Sequence, residues 1–322
     1  MRKTERTSSL TFRSRMVWRC CMAFLGGRGG WIFARKSVQW RLSPHVGKIA
    51  RAAFFVNRAR FNLTLCEVSM RILLSNDDGI YAPGLRALYD ALRAEGHEVR
   101  AVAPSREQSG VGSSVTSRRP LFAASVREPS FEGYAVDGTP ADCVMLGLNG
   151  LFPADYRPDL VVSGINRGPN AGMDVVFSGT VGAALQGAMA GLPALAVSHA
   201  DTSDDYREQA AHAAALASRV DWTALPVNRV YNLNYPAGPL AEVKGLKVCP
   251  QSVSWPEMGR FEERRDPYGR PYWWMGDALA HYRVDDPGTD KGWLHRGYIT
   301  LTPLRFAFTD ETALDAVKAL ES

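Results

Sequence analysis

The chain has 322 residues, 46% of them hydrophobic and 22% charged, with 29 Gly and 19 Pro in no repeating period, which excludes a disordered or collagen-like chain. Its net charge of +5 conceals two unlike segments: residues 1–69 carry 14 basic side chains against Glu5 and Glu67 alone, which leaves 24 basic and 31 acidic for the rest. The larger segment is therefore acidic, and a general affinity for nucleic acid has no support in it.

No stretch reaches the roughly 18 uninterrupted apolar residues of a membrane helix. Residues 16–33 come nearest and are broken by Arg19 and Arg28. Cys20, Cys21 and Cys66 fall in the basic segment, and Cys143 and Cys249 stand alone, so neither a disulfide framework nor a CxxC metal site is available. A cytoplasmic protein with no membrane and no specific nucleic-acid partner is expected.

Residues 1–69 have scattered Arg, three Trp and no sustained period of 2 or 3.6, so they offer a core nothing regular to bury. The expectation is a leader, disordered or outside the native protein, with Met70 as the natural start. An Arg-rich transit peptide or a signal peptide fits less well, because Arg28 interrupts the apolar residues 20–27 and no A-x-A-like site follows.

From Met70 the pattern changes. Residues 71–75 read as a buried strand stopping at Asn76-Asp77-Asp78-Gly79. Leu85, Leu88, Leu92 and Ala94 then recur at helical spacing, with Pro83 suited to the first turn and Gly96 to the cap; a strand over 97–103 completes a β-α-β unit. Strand 159–163 with helix 178–191, and strand 193–198 with helix 203–220, continue the alternation. The implied fold is α/β, a Rossmann-like, mostly parallel sheet with helices on both faces, formed by residues 70–322 as one domain. Beyond about residue 235 the alternation weakens. Residues 250–296 hold Trp255, Trp273, Trp274 and Trp293 in no clean period, and the stretch of about 235–296 is expected to be a β-rich oligomerisation arm. Strand 297–304 and helix 310–320 close the chain.

Three loops leave the carboxyl ends of strands, where open α/β sheets bind ligands. The first places Asp77 and Asp78 side by side. Adjacent carboxylates are costly unless neutralised, and a hard divalent cation with oxygen ligands suits them better than zinc, which recruits His or Cys. A plain polar turn ending in Gly79 is the alternative. The second loop, APSREQSGVGSS at 103–114, offers the Ser109 hydroxyl and the Gly110 backbone N–H, though a bare Gly/Ser loop also reads as linker. The third passes Asn166 and Asn170 and runs into Ser178, Gly179 and Thr180 at a helix start, where free N–H groups and hydroxyls make an anion site; helix capping by Ser178 is the competing reading. Carboxylates for a metal together with an N–H cradle equip a protein for phosphate chemistry.

The motifs MRILLSNDDG at 70–79, AP with SG across 103–110, DGTPADCV at 137–144, VSGIN at 162–166 with Asn170, and SGTVGAA at 178–184 resemble, in order, the SurE family of survival-protein nucleotidases. NLNYP at 232–236, GTD at 288–290 and GYITLTPL at 297–304 extend the resemblance across 70–322. It implies a metal-dependent hydrolase releasing phosphate from nucleoside 5′-monophosphates, with 3′-monophosphates and short polyphosphate as further candidates. It also implies a swapped C-terminal arm that builds homodimers or tetramers. Position by position, Asp77, Asp78, Ser109 and Asn166 match the family's ligands for one divalent ion, Mg²⁺ or Mn²⁺ or another hard cation. Gly110, Asn170, Ser178, Gly179 and Thr180 match its phosphate region, and Asp77 or Asp78 is the candidate general base. Gln186 stands where Glu is common, Phe177 where Tyr is common, and residues 291–296 replace a more acidic run.

Two other classes compete. A phosphoacceptor signalling domain needs an Asp at the end of a later central strand, and residues 161–163 end in none. A nucleotide-binding regulator without turnover would keep the same loops. A phospho-aspartate mechanism would be expected to use D-x-D spacing, which Asp77-Asp78 lacks. The remaining histidines, His97, His199, His212, His281 and His295, sit on no ligand spacing, and Arg118-Arg119 reads as a solvated pair.

Overall fold

The computed structural model describes residues 69–201, 204–254, 261–275 and 286–321. The basic leader, Trp255 and His281 lie outside these. In chain order the elements are β1 (Arg71–Ser75), α1 (Pro83–Ala94), β2 (Glu98–Pro104), β3 (Ala123–Glu128), β4 (Phe131–Val136), α2 (Pro140–Asn149) and β5 (Leu160–Arg167). There follow α3 (Gly179–Met189), β6 (Ala194–His199), α4 (Arg207–Arg219), β7 (Val230–Tyr235), β8 (Leu246–Val248), β9 (Phe261–Arg265), β10 (Pro271–Met275), α5 (Asp290–His295), β11 (Ile299–Leu304) and α6 (Glu311–Val317).

Nine strands form one sheet in the order β3-β4-β2-β1-β5-β6-β7-β11-β8. The block from β4 to β7 is parallel throughout, β3 pairs antiparallel with β4, and β11 pairs antiparallel with β7. The α/β reading with a mostly parallel sheet therefore holds. After β1 the chain builds outward through β2 and β4, then returns to lay β5 on the other side of β1. The switch point of the sheet thus falls between β1 and β5, at the end where Asp77 and Asn166 emerge.

Alternation along each strand supplies both faces. Ile72 and Leu74 of β1 pack with Leu85, Leu88 and Leu92 of α1 and Ala210, Ala213 and Ala214 of α4, whereas Leu73 packs with Cys143 and Val144 of α2 and Ala183 of α3. Each buried side chain of this size contributes on the order of 1.5–3 kcal/mol. The α3 sequence is small for a reason. A Cβ on Gly187 would come within 2.6 Å of the Val161 side chain, and one on Gly182 within 2.5 Å of the Gly112 carbonyl. The helix therefore sits close to β5 and carries the second loop on its back.

Several elements escaped the sequence reading. In β3 only Val126 is buried, so this edge strand shows no alternation to detect. α2 begins with a reciprocal capping box between Thr139 and Asp142 with Pro140 at its start, a local signal that needed no long apolar period. α4 starts at Arg207 rather than at 203.

The stretch of the expected arm contains an antiparallel hairpin, β9 with β10, pairing from Pro271 with Arg265 to Met275 with Phe261. All ten of its strand residues are exposed, Trp273 and Trp274 included. Among the described residues no helix is long and apolar enough to cross a membrane.

Candidate active site

The first loop closes on itself. Asn76 donates from Nδ2 to the Gly79 carbonyl at 3.1 Å and accepts the Gly79 N–H at Oδ1 at 3.2 Å, while Gly79 takes a φ of +103°. This tight turn buries the first carboxylate and half-buries the next: Asp77 is 4% exposed and Asp78 is intermediate. The neighbouring loop is bonded directly to it, through Ile80 N–H to the Pro104 carbonyl at 2.9 Å and Gln108 N–H to the Asp77 carbonyl at 2.8 Å.

The third loop brings α3 up to the same carboxylates. The Thr180 hydroxyl donates to Asp77 Oδ1 in a short hydrogen bond. Gly179 packs so near that a Cβ there would lie 2.8 Å from Asp77 Oδ2, so only glycine lets the helix begin at this distance. Arg167, at the end of β5, donates its backbone N–H to Asp78 Oδ2 at 3.3 Å. Gly112 N–H donates to the Phe177 carbonyl at 2.9 Å, which fastens the second loop to the third.

Other predicted residues take different local partners. Ser178 caps α3 by accepting the Val181 N–H at 3.1 Å, as the capping reading has it, and is buried beside the cradle. The Ser109 hydroxyl is exposed and donates to Glu107 at 2.7 Å, and Gly110 is exposed with a φ of +74°. Half-buried Asn166 donates to the Gly168 carbonyl at 2.8 Å. Asn170 is buried and serves as a strut: its N–H meets Asn234 Oδ1, its Nδ2 meets Ser198 Oγ, and its carbonyl accepts from Asn232 and Asn234.

The residues that hold this strut were missed. Asn232 and Asn234 are two apart in a wholly buried strand and so share one face. A polar pair in that setting demands a partner, and this was the signal available. Asp142 was missed as well; beyond capping α2 it accepts the Thr116 N–H at 2.8 Å and the Thr116 hydroxyl, pinning the far end of the second loop.

Burial pushes the Asp77 carboxyl above its ordinary range, against hydrogen bonds from Thr180 and from the Gly179 backbone. Burial, and next the charge of Asp77, push Asp78 up to about 6. The pair therefore resists carrying two negative charges unaided. Two adjacent carboxylates offer the oxygen ligands that a hard divalent cation takes, although among the described residues no three His, Cys, Asp or Glu side chains converge as a metal-binding group. A cation at this pair would complete its shell with neutral oxygens, which the adjoining loops carry in Ser109 and Asn166.

The family model described as "Survival protein SurE" matches residues 72–256. The chain belongs to the SurE family. It is 51% identical to the 5′-nucleotidase SurE of Desulfovibrio desulfuricans over 78% of this chain and 99% of that protein. It is equally identical to the 5′-nucleotidase SurE of Nitratidesulfovibrio vulgaris strain DSM 19637 / Miyazaki F, over 78% and 93% of the two chains. The crystal structure of the SurE protein from Aquifex aeolicus superposes with a TM-score of 0.66 at 36% identity, covering 78% of this chain and all of that one.

The raised Asp78 carboxyl gives a signed prediction. Its native pKa of about 6 lies above the unfolded value of about 3.9, so the ionisation cost is present in full above the native value and vanishes below the unfolded one. Asp78→Asn is expected to raise the melting temperature of the metal-stripped protein at about pH 7.5, and this gain is expected to shrink as the pH falls through 6 toward about 4. An equal gain at both ends of that range, in a calorimetric pH series, would contradict the cost of ionising buried Asp78 as the cause.

Proposed function

We propose that the chain is a metal-dependent 5′-nucleotidase, hydrolysing nucleoside 5′-monophosphates to nucleoside and phosphate. The observation that carries this is the contact of the Asp77-Asp78 turn with the N-terminus of α3, which brings an acidic cation site and a row of helix-start N–H groups together. The names of the SurE relatives support it. On this reading Asp77, Asp78, Ser109 and Asn166 would hold one Mg²⁺ or Mn²⁺ ion. Gly110 of the second loop and Ser178, Gly179 and Thr180 of the third would receive the phosphate, with the third loop held in place by Asn170. The same site extends to 3′-monophosphates and short polyphosphate.

When bound, the cation supplies charge neutralisation at the phosphoryl oxygens and lowers the pKa of water. The chain's own groups supply position and proton transfer. The α3 N-terminus orients the phosphate by its N–H groups and dipole. Asp78 holds one carboxylate oxygen on the Arg167 N–H, and Asp77 or Asp78 takes the proton of the attacking water. The water oxygen bonds to phosphorus, the bond to the nucleoside oxygen breaks, and that oxygen leaves with the proton.

Release of inorganic phosphate from 5′-AMP is expected with added Mn²⁺ or Mg²⁺ and not with excess chelator, and Asp77→Asn and Asp78→Asn are each expected to lower kcat by about a hundredfold or more. Nucleotide binding without phosphate release would favour a regulatory domain instead.

The exposed hairpin supports assembly with a second copy of the chain, since Phe261, Tyr272, Trp273, Trp274 and Met275 leave apolar surface open on both of its faces. Sedimentation velocity is expected to show a dimer or tetramer that Trp273→Ser with Trp274→Ser dissociates. A monomeric parent chain would refute the assembly.

A further inference from the structure

The C-terminal arm leaves the sheet after β8 and returns through α5, and both stalks meet the loop that precedes α3. Asp290, at the start of α5, is fully buried. Its carboxylate accepts three backbone N–H groups from three segments: Gly172 at 2.8 Å on Oδ2, and Ser252 and Lys291, each at 2.8 Å, on Oδ1. Around this centre Gln251 donates to the Gly172 carbonyl at 2.8 Å, and Lys291 Nζ lies 3.6 Å from Asp174 with both side chains largely buried. The Lys291 stem lies over Gly172, where a Cβ would meet Cε at 2.5 Å, and Gly172 holds a φ of +58°. Ser252 in turn donates to Asp286 on the returning stalk.

Gly172 opens the 3-10 turn, Gly172–Val176, that delivers Phe177 and the cap Ser178 to α3. The segment is thus fixed at two points, by the asparagines of β7 at Asn170 and by Asp290 at Gly172. We propose that Asp290 is a positioning residue for the phosphate-binding segment, holding the turn that sets the α3 N-terminus against the base of the arm. This deepens the nucleotidase reading and rests on it. Asp290 touches no reacting atom; its effect passes through Gly172.

A carboxylate is required because three donors converge and both oxygens must accept. An amide has one acceptor oxygen and one donor nitrogen. In Asp290→Asn, Oδ1 can keep Ser252 and Lys291, and Nδ2 then faces the Gly172 N–H, donor against donor. The substitution therefore frees the phosphate segment while leaving the stalk contacts available.

The test uses the full-length, Mn²⁺-loaded protein. Asp290→Asn is expected to raise the KM for 5′-AMP and the inhibition constant of inorganic phosphate together by about tenfold, with kcat within about threefold and calorimetric Mn²⁺ affinity within about twofold of the parent. A role in general stability alone would lower the melting temperature without moving phosphate affinity, and that result overturns the proposal. So does a loss of Mn²⁺ affinity in step with phosphate affinity. Lys291→Met keeps the stem over Gly172 but removes the charge facing Asp174, and a shift of about threefold in the same two constants is expected. Should Asp290→Asn not fold, this variant decides, and unchanged phosphate affinity in it overturns the proposal. A parent protein inert toward 5′-AMP would sink the nucleotidase reading and this one with it, whereas an active parent with indifferent variants sinks only the role of Asp290.

Discussion

Two carboxylates on consecutive residues at the buried end of β1 are the constraint on which the rest of the molecule depends. Burial raises both and the charge of Asp77 raises Asp78 further, so the ionised pair is tolerable only beside positive charge or donor groups. Every neighbouring feature supplies some of that compensation. The turn is closed by Asn76, the Thr180 hydroxyl and the α3 N-terminus face Asp77, and the Arg167 N–H faces Asp78. What these leave unbalanced is the net charge itself, which a hard divalent cation would cancel. The free N–H groups and the positive dipole end of α3 would then draw the phosphate of a nucleotide to the adjoining helix start.

The topology puts these pieces within reach without long side chains. Because β1 and β5 flank the switch point, their loops diverge to opposite halves of the sheet and leave a crevice between them. Backbone groups then do most of the holding, and glycines at 79, 112, 179 and 182 let main chains approach where a Cβ would collide or a positive φ is needed. Polar side chains buried outside the crevice act as braces. Asn232 and Asn234 fix the loop at Asn170, Asp142 fixes the second loop at Thr116, and Asp290 ties the third loop to the arm. The last of these braces joins the loop before α3 to the base of the arm, whose described hairpin exposes Trp273 and Trp274.

Much of this was legible in the sequence because the parallel strands are short apolar runs and the three loops stand at their ends. Asp77, Asp78, Gly179 and Thr180 could be chosen by residue chemistry and are brought into contact. The edge strand β3 was not legible, since one buried valine makes no period, and α2 was visible only as a capping box. Ser109 and Asn166 lie on the expected loops, and their side chains donate to Glu107 and to the Gly168 carbonyl. The bracing residues were the least accessible. Their partners lie 26 to 118 positions away, and no local pattern announces which buried asparagine or aspartate will face which loop.

The net charge of +5 describes neither half of the chain: the described fold belongs to the acidic part, and its own most demanding feature is a concentrated negative charge at one sheet edge. Calorimetric titration of Mn²⁺ into the metal-stripped protein tests that account most directly. It predicts a single site per chain in the parent protein that disappears in Asp77→Asn, with the same secondary structure in both. Unchanged Mn²⁺ affinity in the variant would contradict it.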